Sequence, residues 1–415
     1  MKDIAQNISI EEIGGKEYKF TFFEPLTDKA ILTHYLHNYH NGVSKFYKKD
    51  ATKILKNFVE YKNEQNESLK VEEALQKLLF EVENVPFPTP KNYTFKFIDL
   101  FAGVGGFRIA MQNNGGKCVF TSEWNKDAQI TYRENYGEVP FGDISLKETK
   151  RYIPDEFDIL CAGFPCQPFS VAGKQKGFSD TRGTLFFDIE QIIEKHRPKV
   201  VFLENVKNFV SHDKGNTFNV ISEILENKLG YKLYNKVLNS MVHANIPQNR
   251  ERIFMVAFDP KQVPNHEEFK FPEPIPLTQT IHDVLEKGKV DDYYYYKKEH
   301  KYYPTLVEEM KSKETVYQWR RVYVRENKSN VCPTLTANMG TGGHNVPLIK
   351  DKHGIRKLTP KETFAFQGYP EEFILPKIAR SKLYMQAGNS ITLPLVERIS
   401  EEIIKVLWNH SHKST

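Results

Sequence analysis

Short apolar runs alternate with helix-patterned stretches from Phe95 to Phe258, and that rhythm permits few architectures. The runs cover residues 95–101, 118–123, 157–163, 199–205, 231–239 and 252–258. Runs of this length that are apolar on both faces suit strands buried on both sides. With helices between them they predict βαβ units and a mostly parallel sheet. Such a sheet presents its ligand-binding edge at the carboxyl ends of the strands. At 415 residues the chain has room for about two or three domains. It is 40% hydrophobic and 27% charged, which supports a packed core and excludes disorder as the overall state.

Four segments are expected. Residues 1–90 read as a polar helical extension, with apolar groups at helix spacing (Ile54, Leu55, Phe58, Val59; then Val71, Ala74, Leu75, Leu78, Leu79). Pro86, Pro88 and Pro90 make a stiff linker after it. Two readings of the extension stay open: a regulatory or dimerisation module, or a helical layer packed on the main domain. Residues 94–260 form the main α/β domain. Residues 261–345, rich in Tyr, Lys and Pro, form a smaller domain. Residues 346–408 return to the main one. Net charge is +5, and residues 287–330 hold 11 Lys/Arg against 7 Asp/Glu, which suits a polyanionic partner. The four cysteines (Cys118, Cys161, Cys166, Cys332) form no CxxC pair, so neither a disulfide framework nor a bound metal is expected. No apolar run approaches the ~18 residues of a membrane span, and the N-terminus has no signal-peptide core. A cytoplasmic protein is therefore expected.

Five stretches carry chemistry. In Asp99-Leu-Phe-Ala-Gly-Val-Gly-Gly-Phe107, glycines follow a strand and open a helix, which lets backbone approach a ligand. Glu123, 20 positions after Gly103, is placed to grip a ribose hydroxyl, and Trp124 offers a face for an adenine. The spacing is GxGG rather than GxGxxG, so a mononucleoside such as S-adenosylmethionine fits better than a dinucleotide. A plain tight turn is the alternative. In Gly163-Phe-Pro-Cys-Gln-Pro-Phe-Ser170, Cys166 sits between two prolines after a strand, placed like a nucleophile, whereas Cys118 and Cys161 read as inert core. Glu204, in Phe202-Leu-Glu-Asn-Val206 at another strand end, becomes a general acid if burial raises its pKa. In Pro247-Gln-Asn-Arg-Glu-Arg252, Arg250 and Arg252 alternate and should share one face, suited to clamping carboxylate or phosphate. Finally, in Gln386-Ala-Gly-Asn-Ser-Ile391, Asn389 and Ser390 are candidate caps of the last helix.

In this order, and with Pro333-Thr-Leu-Thr-Ala337, these stretches closely resemble bacterial DNA (cytosine-5) methyltransferases of restriction–modification systems. The likeness spans about residues 94–407. It implies a Rossmann-like S-adenosylmethionine-dependent methyltransferase fold with a mostly parallel sheet, a smaller target-recognition domain and the helical extension. It implies transfer of the S-adenosyl-L-methionine methyl group to C5 of a cytosine flipped out of double-stranded DNA, through a covalent Cys166–C6 adduct. Glu204, Arg252, Arg250 and Gln248 would complete the catalytic group. Asp99, Phe101, Gly103, Gly105, Glu123, Trp124, Asp143, Gln167 and Asn389 would surround the cofactor, with Asp143 near the adenine amino group. Ser170 and Lys174, in a loop closing on DNA, would touch it, as would Arg320, Arg321, Arg325, Thr336, Gly342 and Gly343; Trp319 lies in the same groove-contact stretch. The resemblance further implies a monomer on DNA, paired in function with a restriction endonuclease but without a stable complex. An RNA substrate such as a tRNA, or a non-catalytic DNA-binding regulator, are the alternatives.

Overall fold

The computed structural model describes residues 8–13, 16–21, 27–64, 68–165, 185–320, 323–341 and 346–408. The chain opens with an antiparallel hairpin, β1 (Ile8–Ile13) and β2 (Lys16–Thr21), where a helical extension was expected. Helices follow as expected: α1 (Thr27–His37), α2 (Ser44–Glu64) and α3 (Val71–Glu83). In α2 the buried residues Tyr47, Ala51, Leu55 and Val59 recur every four positions and line one face.

The main domain is a six-stranded sheet. Its strands are β3 (Phe95–Leu100), β4 (Gly116–Ser122), β5 (Ile159–Gly163), β6 (Val200–Val206), β7 (Lys232–Asn239) and β8 (Glu251–Phe258). The spatial order is β4-β3-β5-β6-β8-β7, and β8 alone runs opposite to the other five strands. Every residue of β4 is buried, as a strand covered on both faces requires. Alternation along β3 sends Ile98 and Leu100 into one core and Phe95 and Phe97 into the other.

The first core takes in Leu203 and Met255 of the sheet, Phe186, Ile189 and Ile193 of the helix between β5 and β6 and, from the extension, Ala30, Ile31, Leu36, Tyr47 and Ala51. The N-terminal helices are thus a layer of the main domain. The proline linker separates two segments in sequence but not two cores. The second core is covered by α4 (Gly106–Asn113) and by α10 (Leu393–Trp408), whose buried Leu395, Val396, Ile399, Ile403 and Val406 follow helical spacing. Between these helices in chain order come α5 (Lys126–Tyr136), α6 (Leu185–His196), α7 (Asn216–Glu223), α8 (Pro360–Ala365) and α9 (Arg380–Asn389).

The smaller domain is built on an antiparallel sheet of β9 (Tyr317–Arg320), β10 (Tyr323–Glu326), β11 (Leu348–Lys350) and β12 (Ile355–Lys357), ordered β10-β9-β11-β12. Two of its strands lie beyond residue 345, so the sheet crosses the expected boundary. Cys332–Pro333 pairs in parallel with Gln248–Asn249 and ties the smaller domain to the main one. Among the described residues no helix is long and apolar enough to cross a membrane.

Candidate active site and cofactor cavity

The carboxyl ends of β3, β4, β5 and β6 meet at one edge of the sheet. A cavity of about 630 Å³ opens there, lined by Phe101, Gly103, Val104, Phe107, Glu123, Trp124, Asn125, Pro165, Leu185, Glu204, Asn205, Arg250, Arg252, Gln386, Asn389 and Ile391, among others.

Its floor is the loop between β3 and α4. Phe101 holds φ at 55°, a left-handed conformation costing a non-glycine residue about 1–2 kcal/mol. Gly103 and Gly105 also have positive φ, of 56° and 82°. A Cβ on Gly105 would lie 2.3 Å from the Tyr136 ring, whose hydroxyl donates to the Val104 and Gly105 carbonyls. Gly105→Ala is expected to destabilise the protein by about 2–4 kcal/mol, combining the positive-φ penalty with overpacking. Urea unfolding measures this, and an unchanged midpoint would contradict the packing described.

The acid 20 residues on is tied to the loop directly. Gly103 N–H donates to Glu123 Oε2 at 2.8 Å, and Asn125 N–H donates to Oε1 at 2.7 Å. Burial pushes the Glu123 carboxyl up, while these backbone donors oppose it. The carboxylate's remaining acceptor capacity suits a ligand's hydroxyl. Trp124 is 73% exposed, leaving an open ring face. Gln386 spends its oxygen on the Thr131 hydroxyl, and its buried Nε2 has no partner among the described residues. An unpaired buried donor in a cavity wall fits a ligand that brings an acceptor. With the open space above Gly103, these groups fit a nucleoside bearing a ribose.

Asp99 is fully buried, and burial pushes its carboxyl up while the charge and backbone N–H of Arg108 oppose it. It does not line the cavity. Asp143 is exposed and accepts from the Ser145 N–H, also away from the cavity wall. Phe141, two residues before it, bridges to Ser122 at the end of β4, which brings the FGDI stretch alongside without turning Asp143 inward.

Glu204, at the end of β6 and paired with Gly163 of β5, is the acid at the other end of the cavity. Arg252 Nε lies 2.9 Å from its Oε1. Burial still raises the Glu204 pKa, with Arg252 and Arg250 pulling the other way. Asn205 donates to the Phe164 carbonyl at 2.9 Å and so sets the chain entering Pro165. Cys166, Gln167, Ser170 and Lys174 lie outside the described residues, but Pro165 and Leu185, on either side of that segment, both line the cavity.

The two arginines do different work. Arg250 is buried, with its guanidinium donating to the carbonyls of Leu335 at 2.9 Å, Gly388 at 3.2 Å and Ser390. It joins three distant segments, while Arg252 alone pairs with Glu204. Gln248 is buried too, bonded to the Phe366 carbonyl and the Leu335 N–H. Asn389 ends α9 and lines the cavity, and the Ser390 hydroxyl bonds to Tyr369. Neither caps the last helix, because a separate helix that the sequence reading missed comes first.

A second groove, of about 610 Å³, lies between the main domain and the smaller sheet. Asn249, Gln318, Arg320, Arg325, Lys328, Thr334, Thr336 and Asn338 line it. Arg320, Arg325 and Thr336 are exposed there; Trp319 also lines the groove, largely buried and packed on Tyr302. Gln318 was missed, although the alternation Tyr317-Gln318-Trp319-Arg320 signals a strand with Gln318 and Arg320 on the polar face. Arg321, Gly342 and Gly343 lie outside the described residues.

This fold and cavity define a methyltransferase of the Rossmann-like type. Residues 95–405 match the C-5 cytosine-specific DNA methylase family, and the chain belongs to that family. It is a DNA cytosine-5 methyltransferase. Type II methyltransferase M.Bsp6I of Bacillus sp. (strain RFL6) is 54% identical over 310 residues, covering 74% of this chain and 97% of that protein. Type II methyltransferase M.HpaII of Haemophilus parainfluenzae is 41% identical over 358 residues, covering 83% and 98%. In fold alone, the crystal structure of S. pombe Dnmt2 methyltransferase is similar, with a TM-score of 0.57 at 20% identity over 77% of this chain and all of the other.

Proposed function

We propose that the chain methylates one cytosine within a short duplex DNA site, as part of a restriction–modification system, with S-adenosylmethionine in the 630 Å³ cavity. The observation that carries this reading is the convergence of Glu204, Glu123 and Pro165, the residue before Cys166, on that one cavity. The cofactor supplies an electrophilic methyl group on a sulfonium. Glu123 holds the ribose hydroxyls, Gln386 Nε2 donates to an acceptor of the ligand, and Trp124 covers the base. The remaining cofactor-side positions, Phe101, Gly103, Gly105 and Asn389, shape the pocket around it; Asp99 supports the loop from beneath, and Gln167 belongs to the adjoining segment.

A cytosine stacked in a duplex cannot reach this cavity, so the base swings out of the helix. The Cys166 thiolate forms a bond to C6. Glu204 gives a proton to N3, and the ring electrons move to C5. C5 takes the methyl group, and the sulfonium sulfur keeps its bonding pair. A water molecule then takes the C5 proton, the electrons of that C–H bond re-form the C5–C6 double bond and expel the thiolate, and N3 returns its proton to Glu204. Arg252 orients Glu204 and reaches the cytosine O2, while Arg250 and Gln248 hold the walls. The duplex lies along the second groove, where Arg320, Arg325 and Thr336, with Gln318, contact it. One copy of the chain acts on one site, and a cognate endonuclease is a functional partner only.

DNA carrying 5-fluorocytosine at the target keeps fluorine where a proton must leave, so the covalent complex should persist on a denaturing gel when cofactor is present. Bisulfite mapping of DNA from cells making the protein identifies the target beforehand. An enzyme that methylates normal DNA but never traps the fluorinated site would exclude the covalent route.

A further inference from the structure

The family match begins at residue 95, yet the helices before it make buried contacts with β4, the strand that leads to Glu123 and Trp124. Strand β4 is the edge of the sheet and ends immediately before Glu123 and Trp124. An edge strand leaves one row of backbone groups without a neighbouring strand. Phe141 takes part of that row, bonding the Thr121 carbonyl and the Glu123 N–H. The extension takes the next part. Register slips between Phe97 and Ile98, so Val119 has no partner on β3. The Tyr47 hydroxyl of α2 donates to that Val119 carbonyl at 3.0 Å, and also to the Tyr152 carbonyl at 3.0 Å. The Thr121 N–H donates to His34 Nε2 of α1 at 3.1 Å. His34 Nδ1 faces the Ala30 carbonyl at 2.8 Å, so Nδ1 carries the proton and the ring is neutral, as burial favours.

The same imidazole approaches the buried ion pair between Glu138 and Arg108 of α4. His34 Nε2 lies 3.6 Å from Glu138 Oε1. That oxygen accepts from the Thr121 hydroxyl at 2.8 Å and from Arg108 at 2.6 Å. Arg108 stands in the first turn of α4, where the glycine loop ends, and is fully buried. Its Nη2 reaches Thr89 of the proline linker, which His37 of α1 also engages at 2.7 Å.

We propose that the layer of residues 27–83 is a built-in brace for the cofactor site, with His34 and Tyr47 as positioning residues that hold β4, Glu123 and the loop in register. The inference rests on the cofactor reading above. It assigns the extension to cofactor affinity rather than to a separate DNA-binding role.

Titration of the full chain with S-adenosylhomocysteine by calorimetry, beside a duplex-DNA binding assay, tests it. His34→Leu keeps the volume and removes the acceptor; S-adenosylhomocysteine affinity should fall about tenfold with DNA affinity unchanged, because in the free variant the end of β4 shifts to satisfy the orphaned N–H and binding must restore its register, at roughly the cost of that hydrogen bond. His34→Gln puts an acceptor oxygen back in place of Nε2 and should restore most of the affinity. Tyr47→Phe loses only a hydroxyl and should weaken binding in the same direction, so it decides the matter if His34→Leu does not fold. Unchanged S-adenosylhomocysteine affinity in the folded variants, or an equal loss of DNA affinity, overturns the brace. Wild-type protein that fails to bind S-adenosylhomocysteine at all overturns instead the cofactor reading on which the brace depends.

Discussion

Cys166→Ser should abolish methyl transfer to DNA, lowering turnover by on the order of 10⁴-fold or more, the scale seen when an enzyme loses its nucleophile. The thiolate is the reactive form of cysteine, and a serine hydroxyl does not ionise near neutral pH. The substitution leaves the loop between β3 and α4, Glu123 and Gln386 in place, so cofactor affinity should stay within a few-fold. Counting labelled methyl groups per enzyme, together with a titration of S-adenosylhomocysteine, separates the two effects. A serine variant keeping more than about a hundredth of the activity would show that the bond to C6 is not made at residue 166.

Glu204→Gln should slow the chemical step by about 10²–10⁴-fold, the range for removing a positioned acid. Glutamine still bonds to Arg252, so loss of rate with a retained fold isolates the proton. The pH profile gives a second test. Burial raises the Glu204 pKa, so the folded protein keeps the acid form to higher pH than an exposed carboxyl does. Single-turnover rate should therefore fall as pH rises through that raised value. The same proton favours folding below the ordinary carboxylate range, and that contribution disappears as pH climbs through the folded-state pKa. Arg252 pulls the pKa down, so in Arg252→Gln the alkaline limb should move to higher pH even as the rate drops. A limb that stays where it was in that variant would mean that another group titrates.

Much of this site was legible in one dimension. Glycines after a strand, an acid 20 residues later, and Glu204 at a strand end are local patterns, and parallel strands bring their carboxyl ends to one edge. Other assignments needed the third dimension. Alternation placed Arg250 beside Arg252, but carbonyls 85 to 140 residues away in the chain claim Arg250. The β1–β2 hairpin carried a weak cue, Gly14-Gly15 between two alternating runs, which the helical pattern downstream overshadowed. Asp143 stands in the expected stretch, yet a turn bonded to Ser145 faces it outward.

Residue order alone determined the class of fold, the glycine loop after β3 and the two acids at strand ends, because strand periodicity and glycine conformation act over a few neighbours. Tertiary structure decided that the N-terminal helices belong to the cofactor domain and that one arginine of two reaches Glu204. Those outcomes depend on which buried donors find acceptors, and such partners lie far apart in the chain until it folds.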